Sequence, residues 1–271
     1  MTSTEPPDAD EAFWRDFLTR GDSVERRARR VFRHLPHEPR CRICAAPFAG
    51  IAAPVMRLIG KRPSGVNPTM CNSCFAFVTK HHGGAEIECT MLFADIRGST
   101  TLAETMSSAE FHGLLDRFYT TASKVVFDHD GTVDKFVGDE LVAMFFPLLS
   151  GDRHAVKGIE AAEALLRATG HADPGGPWVP IGAGVHTALV WFGAVGRGER
   201  VELTAVGDAV NTTARLASMA TAGEILVTTD AAAAADLHPG LQRRQLELKG
   251  KQIPTEVVSL RVDGGEPVSP R

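Results

Sequence analysis

From Glu88 onward, apolar runs of strand length alternate with segments of helical period, and this alternation constrains the chain more than any other feature. It is the signature of an α/β or α+β domain. Strands are predicted near 89–95, 131–137, 140–146, 179–187 and 189–195, then near 224–228, 244–248 and 255–261. Helices are predicted near 108–128, 153–169 and 208–219. Phe136–Leu141 reads as a hairpin whose tight turn contains Gly138 and Asp139. With 271 residues and 44% apolar composition, the chain can bury a proper core.

Lys and Arg number 29 against 33 Asp and Glu, a formal net charge of −4, so no global basic field draws the protein to nucleic acid, which is not an expected partner. No apolar run approaches the roughly 18 residues that cross a bilayer. The longest, Leu141–Leu149, is interrupted by Pro147, and the N-terminus lacks the basic start and apolar stretch of a secretory signal. The expectation is a cytoplasmic protein with no membrane span.

Residues 1–10 read as a disordered leader and 11–35 as helical, with Gly21 a break. Phe13, Trp14, Phe17 and Leu18 can form one apolar stripe. Arg26, Arg27, Arg29, Arg30 and Arg33 form a basic cluster, read as a solvated or ion-paired helix face, with an anionic membrane surface or nucleic acid as the alternative. The expected division is 1–35 for leader and helices, 36–82 for a Cys-rich module, 87–262 for the α+β domain and 263–271 for a flexible tail.

In the 36–82 segment six prolines leave little room for long regular elements. Cys41-x-x-Cys44 and Cys71-x-x-Cys74 are separated by 26 residues and suit a tetrathiolate site for Zn²⁺ or an iron–sulfur cluster; free or redox-paired thiols are the other reading. His81 and His82 are spare ligand candidates. Cys89, in the first predicted strand, reads as a small buried apolar residue.

Met91–Asp95 is an apolar strand ending on an acid, followed by a Gly-containing turn and a Thr-rich helix start. That pattern sets a carboxylate beside free backbone N–H groups, which can hold a divalent cation together with the phosphates it carries. Asp139 sits in the hairpin turn between two apolar strands. If the strands neighbour each other, the two carboxylates can converge on a pair of Mg²⁺ ions. Taken singly, each Asp suits ordinary turn chemistry.

Phe93-Ala94-Asp95-Ile96-Arg97-Gly98-Ser99-Thr100, Lys135-Phe136-Val137-Gly138-Asp139-Glu140 and Val206-Gly207-Asp208-Ala209-Val210-Asn211-Thr212-Thr213-Ala214-Arg215 together resemble the three signature segments of class III adenylyl/guanylyl cyclases. The resemblance implies a ferredoxin-like βαββαβ catalytic domain of α+β class over 87–262. It implies closure of the ribose 3′-hydroxyl of a nucleoside triphosphate onto its own α-phosphate, releasing pyrophosphate, with two Mg²⁺ or Mn²⁺ ions per site. By resemblance Asp95, Asp139 and the Ile96 carbonyl bind metal, and Ile96, Gly98, Ser99 and Thr100 offer backbone N–H groups to phosphates. Asn211 orients the ribose, and Arg215 stabilises charge on the α-phosphate. Lys249 takes the place of a phosphate-binding lysine, with Lys251 as its substitute.

Adenine asks for one donor and one acceptor; Lys135 gives the donor, and Thr204, three residues before Gly207, stands by resemblance where the family places an Asp or Thr that accepts from adenine. The expected substrate is therefore ATP, and the Lys/Thr pairing resembles the bacterial subclass that contains bicarbonate-responsive cyclases. Ser99 where many members carry Phe, and Thr213-Ala214 where Ala-Ser is frequent, remove no chemical group. The family pattern implies a homodimer with two equivalent sites. Three alternatives are a guanylyl cyclase, a diguanylate-type cyclase, since Val137–Leu141 faintly resembles the hairpin of that related fold, and a non-catalytic module that binds a partner through the Cys-rich segment.

Overall fold

The computed structural model describes residues 9–21, 23–35, 39–196 and 201–262. The expected leader lies almost wholly, and the expected C-terminal tail wholly, outside them. The chain divides into two compact units: Met1–Ile87 with Trp191–Ala205, and Glu88–Val190 with Val206–Arg271.

The elements run in the order α1 (Ala9–Thr19), α2 (Ser23–Phe32), α3 (Ala53–Leu58), α4 (Asn72–Lys80), β1 (Gly83–Ile96), α5 (Ser99–Thr105), α6 (Ser108–Asp128), β2 (Thr132–Val137), β3 (Glu140–Phe145), α7 (Pro147–Ser150) and α8 (His154–Ala168). They continue with β4 (Ile181–Val195), β5 (Glu202–Val206), α9 (Asp208–Met219), β6 (Glu224–Thr228), α10 (Thr229–Ala234), β7 (Arg243–Leu246) and β8 (Thr255–Arg261). The strand order is β2-β3-β1-β4-β6-β8-β7, with β5 on β4. Its first four members, joined through α6 and α8, form the expected ferredoxin-like βαββαβ unit.

In the second unit one large apolar cluster lies between the sheet and helices α6 and α8. Leu92, Ala94 and Ile96 of β1 and Leu141, Ala143 and Phe145 of β3 meet Phe118, Ala122 and Val126 of α6 and Ile159, Ala162 and Leu165 of α8. Alternate residues of the strands supply one face, and the i, i+4, i+8 spacing of the α6 residues matches it. α6 starts on a capping box in which Ser107 accepts from the Glu110 amide and Glu110 accepts from the Ser107 amide. A second cluster on Leu216, Ala220, Leu226, Leu246, Leu248 and Val257 seats α9.

Two glycines set the depth of that seat. A Cβ on Gly182 would stand 2.5 Å from the Ala220 carbonyl, and one on Gly184 would stand 2.6 Å from the Ala217 amide nitrogen. Only a bare backbone on β4 lets α9 lie this close.

The predicted break of β4 into 179–187 and 189–195 is corrected by a single strand, Ile181–Val195. Thr187, near the middle of this strand, is buried and shares a 2.7 Å hydrogen bond with Thr90, which also bonds His154 Nδ1 at 2.9 Å. β5 went unpredicted because five residues that include an exposed Glu202 give too short an apolar signal.

In the first unit Trp14, Phe17 and Leu18 are buried, and Phe17 packs against Phe77 of α4 with ring centroids 4.9 Å apart. Trp14 Nε1 donates to the His81 carbonyl at 3.1 Å, and the His81 ring stacks on Phe13 at 4.1 Å. His81 is thereby engaged as a packing group, and it is not among the residues whose donor atoms cluster.

Candidate active site

β1 and β3 pair antiparallel with Asp95 opposite Glu140, so the acid at the end of β1 lies beside the Gly138-Asp139 turn. Gly138 takes a left-handed φ of 61°, which the turn needs and a glycine supplies without strain. Tyr119 of α6 reaches this turn: its ring stacks on Phe136 at 3.9 Å, and its hydroxyl donates to the Gly138 carbonyl.

Asp139 charges the locus. Burial, followed by the neighbouring Asp139 carboxylate, pushes Glu140 up to about 7, and the same two causes raise the Tyr119 hydroxyl. Carboxylate and carbonyl oxygens in a region already negative fit hard divalent cations such as Mg²⁺ or Mn²⁺. Ile96 is buried at the end of β1, and Gly98, with φ 70°, leads into the short helix that carries Ser99 and Thr100.

Arg97 was quoted within a motif but assigned no role by the sequence. Its guanidinium pairs with the Asp95 carboxylate and donates to the Ser218 carbonyl at 2.6 Å, at the C-terminal end of α9. Its own amide donates to the Pro180 carbonyl at 2.8 Å. One side chain thus ties the β1 acid to the helix that bears Asn211 and Arg215.

On α9, Asn211 is exposed and Arg215 half-buried, while Thr212 and Thr213 turn into the core. A Cβ on Gly250 would lie 3.5 Å from the Arg215 guanidinium, so the 249–251 loop passes beside Arg215. In that loop Lys249 is exposed, whereas the Lys251 ammonium pairs with Asp208 at the start of α9. The Lys251 hydrogen bond holds the Asp208 carboxyl below its usual range.

Lys135 stands on β2 of the second unit, half-buried, with its Nζ 3.7 Å from the buried Asp134 carboxylate. The β2–β3 register slips between Val133 and Lys135, a bulge of the kind that re-aims a side chain beside a site. Thr204 lies half-buried on β5 of the first unit.

The four thiols of Cys41, Cys44, Cys71 and Cys74 are buried, and their sulfurs all lie within 4.8 Å of one another, a group able to hold a metal ion. Cys89 is fully buried, and burial pushes its thiol up.

The ferredoxin-like strand order, with Asp95 at the end of β1 and Asp139 in the adjoining turn, defines a class of α+β domain with carboxylates at one end of its sheet. The family model described as Adenylate and Guanylate cyclase catalytic domain matches residues 84–259, more than half of the chain. The chain belongs to that family. It is 36% identical over 147 residues to a protein named adenylate cyclase 1 from Rhizobium meliloti strain 1021, a match that covers 51% of this chain and 22% of the relative. Among solved structures, it resembles the guanylyl cyclase Cya2 with a TM-score of 0.59 and 28% identity, over 70% of this chain and 100% of that one. It resembles the adenylyl cyclase CyaB from P. aeruginosa with a TM-score of 0.56 and 28% identity, over 65% and 94%. The chain spans about a quarter of the length of the curated relatives it matches. Among the described residues, no helix is long and apolar enough to cross a membrane.

Proposed function

We propose that this cyclase-family protein is an adenylate cyclase that converts ATP to 3′,5′-cyclic AMP and pyrophosphate, working as a homodimer in intracellular signalling. The observation that carries the choice of base is the donor–acceptor pair of Lys135 and Thr204. An ammonium donates to adenine N1 and a hydroxyl accepts from N6; guanine presents the reverse polarity on that edge and asks for a carboxylate where Lys135 stands. The name of the Rhizobium relative supports the same base.

Asp95, Asp139 and the Ile96 carbonyl would hold two Mg²⁺ or Mn²⁺ ions, which supply Lewis-acid chemistry at the phosphates and at the attacking hydroxyl. The chain's own residues do the rest. Asn211 orients the ribose, and Arg215, whose planar fork stays charged, takes up the negative charge that builds on the α-phosphate. Gly98, Ser99 and Thr100 offer backbone N–H groups, and Lys249 a mobile cation, to the β- and γ-phosphates. In the second unit Val137, Leu189 and Met219 expose 55%, 66% and 41% of their surface, apolar area that supports pairing with a second copy.

The guanylyl reading keeps one favouring observation, the likeness to Cya2. Purified protein assayed with ATP and with GTP under Mg²⁺ or Mn²⁺, beside Asp95→Ala, separates the two. The expected result is cyclic AMP from ATP, little product from GTP, and loss of about three orders of magnitude in the variant. Cyclic GMP from GTP exceeding cyclic AMP from ATP would reverse the base assignment, and no product above the variant's level from either nucleotide would end the catalytic reading.

A further inference from the structure

The cysteine group has a geometry that separates the readings its spacing leaves open. Cys41 and Cys44 lie in one tight turn: the Ala45 amide donates to the Cys41 carbonyl at 2.8 Å and the Cys41 amide to the Ala46 carbonyl at 2.9 Å. Ala45 completes the turn at a left-handed φ of 61°, a conformation an alanine keeps only when its surroundings enforce it. Cys71 stands at the N-cap position of α4 and Cys74 sits in its first turn, so the second pair is carried on a helix end.

The Sγ atoms of Cys44 and Cys71 are 3.8 Å apart. A disulfide needs about 2 Å. A tetrahedral ion with Zn–S bonds of about 2.3 Å spaces its sulfurs by about 3.8 Å. A four-iron cube spreads its cysteine sulfurs wider, because each is bound to a different iron at a corner. The Cys71 amide donates to Cys41 Sγ at 3.3 Å, and none of the four cysteines exceeds 4% exposure, so the site is closed and offers no position to a substrate. Arg29 donates to the carbonyls of Arg42 and Ile43 at 3.1 and 2.7 Å, so this member of the basic cluster braces the chelating turn instead of lying solvated.

Within the same turn Arg42 reaches outward. Its amide donates to the Thr69 carbonyl at 3.0 Å, and its guanidinium donates at 2.9 Å to the Leu203 carbonyl on β5. Leu203 immediately precedes Thr204.

We propose that Cys41, Cys44, Cys71 and Cys74 bind one zinc ion in a closed tetrathiolate site, and that the ion, by fixing the Cys41–Cys44 turn, holds strand β5 in place through Arg42. Arg42 is then a positioning residue. The consequence for ATP rests on the proposed reading of Thr204: a loosened β5 presents the adenine acceptor less well and weakens nucleotide binding.

The test begins with elemental analysis of protein purified under reducing conditions without added metal. One zinc per chain, with neither iron nor acid-labile sulfide, is expected; cobalt exchanged into the site should show the visible bands of a tetrahedral thiolate complex. Cys44→Ser with Cys71→Ser should lose the zinc. Because that variant can also unfold, Arg42→Ala carries the second half: zinc stays at one per chain, while amide exchange at Glu202–Val206 and KM for ATP each rise about tenfold, the loss of one charge-assisted hydrogen bond, and kcat changes less. Iron with sulfide, or a metal-free native protein, overturns the zinc site. Full zinc with unchanged β5 exchange in Arg42→Ala overturns the coupling. Metal content and amide exchange read out even if neither nucleotide is cyclised, so failure of the catalytic reading stays distinguishable from failure of this one.

Discussion

Arg97 is the residue on which the candidate site turns. Its partners, Asp95 on one side and the Ser218 carbonyl on the other, tie the end of β1 to the end of α9. A cation at a helix C-terminus also meets the negative end of the helix dipole. Arg97→Ala is expected to lower the unfolding free energy by about 2 kcal/mol, read from urea denaturation, since a charged donor leaves two sets of acceptors behind. An unchanged midpoint would show that these bonds have no net worth. Asp95, Asp139, Asn211 and Arg215 stood out in the sequence because the three segments that carry them together resemble the signatures of one family. Arg97 sat inside such a motif too, but its partner Ser218 is 121 residues away, so the role was invisible until the chain was folded.

Among the elements, α9 shows how a helix is aimed. Gly182 and Gly184 on β4 let its backbone settle closer than any side chain would allow. Gly184→Ala is expected to cost about 1–3 kcal/mol and to lower kcat, because α9 must rise and carry Asn211 and Arg215 with it. Gly175→Ala, at a position with open space around it, serves as the control and should change stability by less than about 0.5 kcal/mol. Equal stability and activity in the two variants would remove the argument. Helices over 108–128 and 208–219, and strands over 224–228 and 255–261, were legible in the sequence to the residue, since strong periodicity or an apolar run met clear stop signals. β5 was not, and neither was the continuity of β4.

Across the whole molecule, protonation links stability to pH through His154, His171 and His186, each pushed below the usual 6.5 chiefly by burial. For His154, Glu88 and Asp152 oppose that push without cancelling it. A depressed imidazole gives its full stabilisation above 6.5 and loses it as pH falls through the folded value, because the unfolded chain then takes up a proton that the fold refuses. Glu140, raised to about 7, works in the opposite sense, so a comparison of two proteins isolates the histidine. The stability gap between wild type and His154→Gln, measured in urea, should shrink between about pH 7.5 and pH 5.5. A gap that widens would mean that the imidazole is charged in the fold. That strands and helices alternate through the second half of the chain was legible at this scale, because alternating periods survive without long-range information, whereas the choice of α+β over α/β rested on the resemblance. The division that groups 191–205 with the N-terminal residues was not, because it depends on contacts far apart in sequence.

The hydroxyl that braces the Gly138-Asp139 turn belongs to the chain's single tyrosine. Nature has therefore placed one spectroscopic label, and no second copy of it to confuse the signal, against the turn where a cation is expected to arrive. Protein grown with 3-fluorotyrosine should give one fluorine resonance from the folded state, and titration with Mg²⁺ should move it, while the same titration of Asp139→Asn should leave it still. The binding step would then be visible without turnover, nucleotide or dye.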